Sequence, residues 1–170
     1  CKNFIVIIIK KNYLDKIDFY KIKSKIMEFD FPWFFEPKMT KEGLGWEKPF
    51  FFHCFYDNFL PNSHHFDLFK NCLKDLKVKS LIKMRANLNL NFKEHYYSDW
   101  HVDQETQCKT ALLYLNTNNG YTEIKDGKKI LKINCEENTM VIFDSHHLHR
   151  LVSQTDDQRR IVINFNFYDF

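Results

Sequence analysis

Arg160-Ile161-Val162-Ile163-Asn164-Phe165-Asn166-Phe167, close to the end of the chain, alternates without a break. Successive side chains of an extended backbone point to opposite faces. Ile161, Ile163, Phe165 and Phe167 therefore form one apolar face, and Arg160 lies on the other with Val162 and Asn164. By the same alternation Arg159 would join the apolar face, so it reads as a surface residue at the start of the strand. Upstream, Ile82 to Leu90 also alternates, with Lys83, Arg85, Asn87 and Asn89 as its polar set. A solvated face is the base-rate reading for that set, an internal pocket the other. Ala111 to Asn116 is a strand and Asn118-Asn119-Gly120 a turn. Thr122 to Lys125 pairs with Lys128 to Ile133 across Asp126-Gly127, a favoured hairpin turn. Thr139 to Phe143 brings the count to seven or eight short strands following helices. That pattern predicts a mainly β fold with supporting N-terminal helices, built as a double-sheet jelly roll.

Within this frame, Trp100-His101-Val102-Asp103 carries two metal-competent side chains two residues apart. In a strand they share a face, with Val102 in the opposite layer. The segment Phe143-Asp144-Ser145-His146-His147-Leu148-His149-Arg150 offers three histidines for a third ligand. Two histidines and one carboxylate leave several positions on a metal open, the arrangement of non-haem Fe(II) oxygenases. Zinc competes, because a hydrolytic site also uses three protein ligands and an open position. Arg160 favours iron, since a guanidinium facing a metal pocket suits a second anion by a bidentate, charge-assisted pair.

The C-terminal half resembles the 2-oxoglutarate- and Fe(II)-dependent oxygenases, in particular the prolyl 4-hydroxylase-like branch. The resemblance rests on His101-Val102-Asp103, Ala111-Leu112-Leu113-Tyr114-Leu115-Asn116, Asn119-Gly120-Tyr121-Thr122-Glu123, the distal histidine and the arginine strand. It is also similar to small oxygenase domains of marine phages and bacteria, where a turn like Thr155-Asp156 separates histidine from arginine. The resemblance implies a double-stranded β-helix of the cupin-like kind. Fe(II) would be held by His101, Asp103 and His149, the last chosen because it lies closest before the Ser153-to-Gln158 turn. 2-Oxoglutarate would chelate the iron and reach Arg160 with its 5-carboxylate, to which Tyr114 would give its hydroxyl. The expected reaction is hydroxylation of an unactivated C–H bond of a protein side chain, prolyl in type, or of a small molecule. O2 is consumed and succinate and CO2 are released, with ascorbate as a candidate reductant. Asp103 argues against the related halogenases, which lack this carboxylate. The AlkB branch, which acts on nucleic acid, has a second arginine shortly after the first, and Ile161 to Phe170 contains none.

A length of 170 residues suits one domain, with residues 1–77 as an N-terminal strand, helices and aromatic loop and 78–170 as the jelly-roll core. A formal charge of +3 is too mild to announce a nucleic-acid partner. Five cysteines, odd in number and without metal-type spacing, read as reduced thiols of a cytosolic protein in a bacterium or a phage-infected host. No apolar run reaches membrane-spanning length.

Phe4 to Ile9 reads as a buried strand. Helices are expected over Tyr13 to Phe29, stopped by Pro32, and from a Ser63 N-cap to Leu76. Between them Asp30 to Phe52 is an aromatic loop that serves as a lid or as packing. His53, His64, His65 and His95 read as solvated. Two other classes of protein compete: a non-catalytic jelly-roll binding or viral structural module, and a cupin-like metal enzyme that does not use 2-oxoglutarate.

Overall fold

A computed structural model describes residues 6–37 and 48–169. Its strands are β1 (Ile8–Lys10), β2 (Phe34–Glu36), β3 (Phe50–Asp57), β4 (Leu60–Pro61), β5 (Ser80–Leu90), β6 (Lys109–Tyr114), β7 (Asn118–Asp126), β8 (Lys129–Cys135), β9 (Thr139–Asp144), β10 (His149–Val152) and β11 (Arg159–Tyr168). Two helices accompany them, α1 (Lys16–Ile26) and α2 (Lys70–Asp75), the second preceded by a 3-10 turn over His64–Phe69. The major sheet runs β1-β9-β6-β11-β5-β3-β2, with β4 added to β3, and the minor sheet runs β10-β7-β8. Two antiparallel sheets facing each other over a shared interior make the expected jelly roll.

Alternation in β11, β5 and β6 decides what each face of the major sheet does. Ile161, Ile163 and Phe165 of β11, Met84 and Ala86 of β5, and Ala111 and Leu113 of β6 form one core with Phe19, Ile22 and Ile26 of α1 and Phe69 and Cys72 of the second helical segment. On the opposite face Leu112, Tyr114, Val141, Phe143 and Val162 meet Ile124, Ile133 and Cys135 of the minor sheet. The registers Arg160↔Asn89, Val162↔Asn87 and Asn164↔Arg85 put the polar set of β5 on this second face. Arg85, Asn87 and Asn89 therefore line an internal cavity and are not the solvated surface that base rates favour. Lys83 alone ends at the periphery, 3.6 Å from Asp57.

Other departures have local causes. Residues 4 and 5 of the Phe4-to-Ile9 run lie outside the described residues, and the observed β1 is an edge strand on β9 whose Ile8 and Ile9 remain exposed, not a buried strand. The first helix is shorter at both ends than its apolar spacing implied: Asp15 accepts from the N–H groups of Ile17 and Asp18 and caps its start, and Met27 is the C-cap. Ser63 caps the second helical segment as expected. Gly127, at a φ of 59°, opens the β7–β8 turn, and Asp126 pairs with Lys129, one residue later than anticipated. Strands β2, β3, β4 and β10 were not anticipated. Part of the aromatic loop, residues 38–47, lies outside the described residues.

His53 is buried, contrary to expectation. Its Nδ1–H donates to the Pro32 carbonyl at 2.7 Å, and Nε2 accepts from the Ser63 hydroxyl at 2.8 Å. Both ring nitrogens are satisfied, and burial pushes the ring below the ordinary histidine value, so it packs as a neutral group. It lies 4.7 Å, ring to ring, from Phe55, which is itself 4.7 Å from Phe69. Phe55→Ala, which empties the middle of this cluster, is expected to cost about 3–5 kcal/mol in denaturant unfolding.

Candidate active site

The cavity between the sheets opens beside two backbone segments that hold each other in place. His101 N–H donates to the His149 carbonyl at 3.1 Å, and His149 N–H donates to the His101 carbonyl at 3.0 Å. His101 is otherwise outside any strand, an isolated bridge opposite β10. Val102 is consequently exposed and not in the opposite layer of a strand. What brings His101 and Asp103 to one point is this bridge together with the attachment of Asp103 to the sheet.

That attachment uses one carboxylate oxygen. Asp103 Oδ2 accepts from Thr110 Oγ1 at 3.0 Å, Asn164 Nδ2 at 3.0 Å and Asn166 Nδ2 at 3.1 Å. Oδ1 is left facing the histidines, 3.4 Å from His149 Nε2 and 3.9 Å from His101 Nε2. The histidines are oriented from behind. His149 Nδ1–H donates to the His147 carbonyl at 2.9 Å, and His101 Nδ1–H to the Asp99 carbonyl at 3.1 Å. In the neutral rings each Nε2 is thus the lone-pair nitrogen, turned towards Asp103 Oδ1, and that tautomer is set by the backbone.

Burial alone would push the Asp103 carboxyl up, but the charge of His149 and hydrogen bonds from His149 and Asn164 hold it well below the ordinary carboxylate range. Burial likewise opposes a proton on His149, yet the charge of Asp103 and its hydrogen bond raise that ring above the ordinary histidine value. His101, lowered by burial and by His149, is the more readily neutral of the two. Below that raised value the metal-free site is an ion pair of Asp103 and a protonated His149, whose Nε2–H then faces Asp103 Oδ1. A divalent ion would substitute for that proton.

At the other end of the cavity Arg160 is 3% exposed and, among the described residues, has no carboxylate partner. Its Nη2 donates to Thr122 Oγ1 at 3.1 Å, while its Nε has no hydrogen-bond partner. A buried guanidinium left in this state costs several kcal/mol unless an anion reaches it. Tyr114 is fully buried, its ring 5.5 Å from the guanidinium. Its hydroxyl, raised to about 12 by burial, is a donor, but it donates to Thr122 Oγ1 at 2.7 Å and is not among the groups lining the cavity. Thr122 accepts from both neighbours and so keeps its own proton for a third partner.

Arg160 is held by residues on either side of it. The Asn116 side chain accepts from Ile161 N–H at 3.0 Å and donates to the Arg159 carbonyl at 2.7 Å. Asn119 N–H donates to the Asp156 carboxylate, and Thr155 N–H to Asn119 Oδ1 at 2.8 Å. The Tyr-Leu-Asn strand end and the Thr-Asp turn are therefore one device for launching β11 with Arg160 inward and Arg159 outward. Of the residues singled out from sequence, His101, Asp103 and His149 converge, and Arg160 lies along the same strand face as Asn164. Four residue steps of extended chain lead from one to the other, about 13 Å.

Sequence reasoning did not single out Thr110, Asn164, Asn166 or Thr122. Alternation was the available signal, because Asn164 and Asn166 continue the Arg160 face. The remaining cavity wall includes Phe50, Arg85, Asn87, Leu151 and Val162, around an enclosed space of about 90 Å³.

The fold and the site define a jelly-roll protein with a two-histidine, one-carboxylate group able to hold a cation and a buried arginine in one cavity. A family model of the 2OG-Fe(II) oxygenase superfamily matches residues 84–168, the span from β5 to the end of β11, and the chain belongs to that superfamily. It is accordingly an oxidoreductase that uses Fe(II) and 2-oxoglutarate, which sets aside the non-catalytic module and the enzyme without 2-oxoglutarate. No curated protein matches the sequence.

Among solved structures, the chain is similar to an oxidoreductase of the 2OG-Fe(II) oxygenase family from Burkholderia pseudomallei, with TM-score 0.74 and 11% identity over 99% of this chain and 87% of that one. It is also similar to a prolyl hydroxylase from Trichoplax adhaerens in complex with a hypoxia inducible factor peptide fragment, with TM-score 0.73 and 14% identity over 96% and 83%. A third similarity is to the epimerase SnoN in complex with Fe3+, alpha ketoglutarate and nogalamycin RO, with TM-score 0.61 and 10% identity over 96% and 78%. At these identities the likeness is one of fold. No helix among the described residues is long and apolar enough to cross a membrane, and Cys54, Cys72, Cys108 and Cys135 are free thiols.

Because His149 keeps its proton to a higher pH than an ordinary histidine, Fe(II) affinity should fall as pH is lowered through that raised value. Asp103→Asn removes the charge that raises it. Histidine-ring NMR of the metal-free protein should then show the His149 titration moving to lower pH.

Proposed function

We propose that the chain hydroxylates an unactivated C–H bond, with His101, Asp103 and His149 holding Fe(II) and with Arg160 and Thr122 holding the 5-carboxylate of 2-oxoglutarate. In balanced form, substrate C–H, O2 and 2-oxoglutarate give substrate C–OH, succinate and CO2. The observation that carries this reading is the pairing, in one cavity, of a pre-oriented donor set with a buried guanidinium that lacks an anion. Iron in this donor set would supply the redox centre at which O2 and the 2-keto acid react. The histidines, oriented through their Nδ1 atoms, offer neutral Nε2 lone pairs. Asp103 completes the set with Oδ1 because Oδ2 is saturated by Thr110, Asn164 and Asn166.

Arg160 meets the 5-carboxylate by charge, Thr122 by its spare hydroxyl proton. Tyr114 is a positioning residue in this reading, acting through Thr122 and against the guanidinium. The substrate we propose is a protein side chain, prolyl in type, or a small molecule entering past Phe50 and Arg85. Support for the first comes from the peptide-bound Trichoplax structure, and the epimerase fixes the comparison to make. Hydroxylation adds one oxygen atom to the product, whereas epimerisation leaves its mass unchanged.

The test is an anaerobic titration of the metal-free protein with Fe(II) and then 2-oxoglutarate, following the weak visible charge-transfer band of the chelate. The band should appear in the wild type, be lost in His149→Ala, and need far more 2-oxoglutarate in Arg160→Ala. A folded, iron-loaded wild type that gives no band would refute the assignment. Asn116→Ala, which touches neither ligand but removes the hydrogen bonds to Asp157, the Arg159 carbonyl and Ile161 N–H that set the start of β11, should raise the 2-oxoglutarate requirement on the order of tenfold, about 1.4 kcal/mol, and leave iron affinity unchanged.

A further inference from the structure

Of the three histidines between Phe143 and Arg150, the proposed active site takes one. The other two stand with Asp144 in a second group, in which one ligand atom from each of Asp144, His146 and His147 lies within 4.8 Å of the others. None of the three lines the active-site cavity.

The turn that carries them is tied down before any ligand arrives. His147 N–H donates to the Asp144 carbonyl at 3.0 Å, and Ser145 N–H donates to the Cys108 carbonyl at 2.9 Å. The Ser145 hydroxyl donates to the Thr106 carbonyl at 2.9 Å. Asp144 divides its carboxylate as Asp103 does: Oδ1 takes the Lys109 ammonium at 2.6 Å, and Oδ2 faces His147 Nε2 at 3.9 Å. That separation equals the one between His101 Nε2 and Asp103 Oδ1.

His147 Nε2 is buried and has no hydrogen-bond partner. A buried polar atom in that condition needs an explanation, and a missing ion is one. The exposed His146 ring sits 4.6 Å from the His147 ring and can close over the same point.

We propose that Asp144, His146 and His147 form a second metal site, outside the active-site cavity, for a divalent transition ion of the zinc type. Two imidazoles and one carboxylate match the ligand preferences of such ions. Calcium and magnesium prefer all-oxygen shells and do not match. The site has a direct line to the active site, because the carbonyl of His147 receives the Nδ1–H of His149 at 2.9 Å. An ion that fixes the His147 ring also fixes the turn that orients His149.

The experiment is an anaerobic Co(II) titration of the metal-free full chain, with bound cobalt counted after dialysis. Wild type, His146→Ala, His147→Gln and a His101→Ala/Asp103→Ala protein are compared. The His146 side chain is exposed, so its loss leaves folding intact. Two equivalents are expected in the wild type and one in each of the other three. A cobalt content unaffected by both His146→Ala and His147→Gln overturns the proposal, as does a cobalt-thiolate absorption band accompanying the second equivalent. Failure of the active-site assignment is a separate result: the His101→Ala/Asp103→Ala protein would bind as much cobalt as the wild type, and the dependence on His146 would stand.

Discussion

The reciprocal backbone hydrogen bonds between His101 and His149 are the constraint on which the active site depends. They join a segment without regular structure to the edge of the minor sheet, placing two imidazoles with ring centroids 4.5 Å apart. The third group, Asp103, is fastened to the major sheet by Thr110, Asn164 and Asn166. The donor set therefore spans both sheets, and its geometry can hold only while the sheets keep their separation. The core formed by Leu112, Val141, Phe143 and Val162 against Ile124 and Ile133 provides that separation.

Electrostatics and packing are inseparable here. A carboxylate with one oxygen saturated by neutral donors keeps the other oxygen, and its charge, for the histidines. The raised His149 and the depressed Asp103 are two faces of that arrangement. The opposite end of the cavity is built on the reverse principle. Among the described residues Arg160 has no carboxylate partner, and its neighbours include the Thr122 hydroxyl, the Tyr114 ring and the Cys135 thiol, so its charge is not neutralised from within the cavity. A strand face running from Arg160 through Val162 to Asn164 and Asn166 connects the two ends, which ties Arg160 and the fastening of Asp103 to one rigid element.

The aromatic richness of the chain has a structural account in part. Phe19, Phe31, Phe55, Phe69, Phe165 and Phe167 belong to the core between the helices and the major sheet. His53 sits among them as a neutral ring, with Phe31 and Phe55 against it. Its burial was hidden from sequence because the partners that satisfy it, Pro32 and Ser63, lie on other segments.

Strict alternation in β5 and β11 and the His-x-Asp spacing, together with the resemblance they supported, were enough to determine the jelly roll, the two-histidine, one-carboxylate grouping and the inward Arg160. Period and spacing are local properties, and local properties are what a sequence displays. It could not decide that the polar face of β5 is internal, that Asp103 is held by Asn164 and Asn166, or that the Tyr114 hydroxyl goes to Thr122. Those depend on strand register, Asn164 opposite Arg85 on one side and Leu112 on the other, and register is set by the packing of whole sheets. The family pattern selects His149 over its two neighbours, but what holds it opposite His101 is of the same tertiary kind. In the folded chain it rests on a two-bond bridge to a residue 48 positions earlier, and that bridge exists only once both segments are in place.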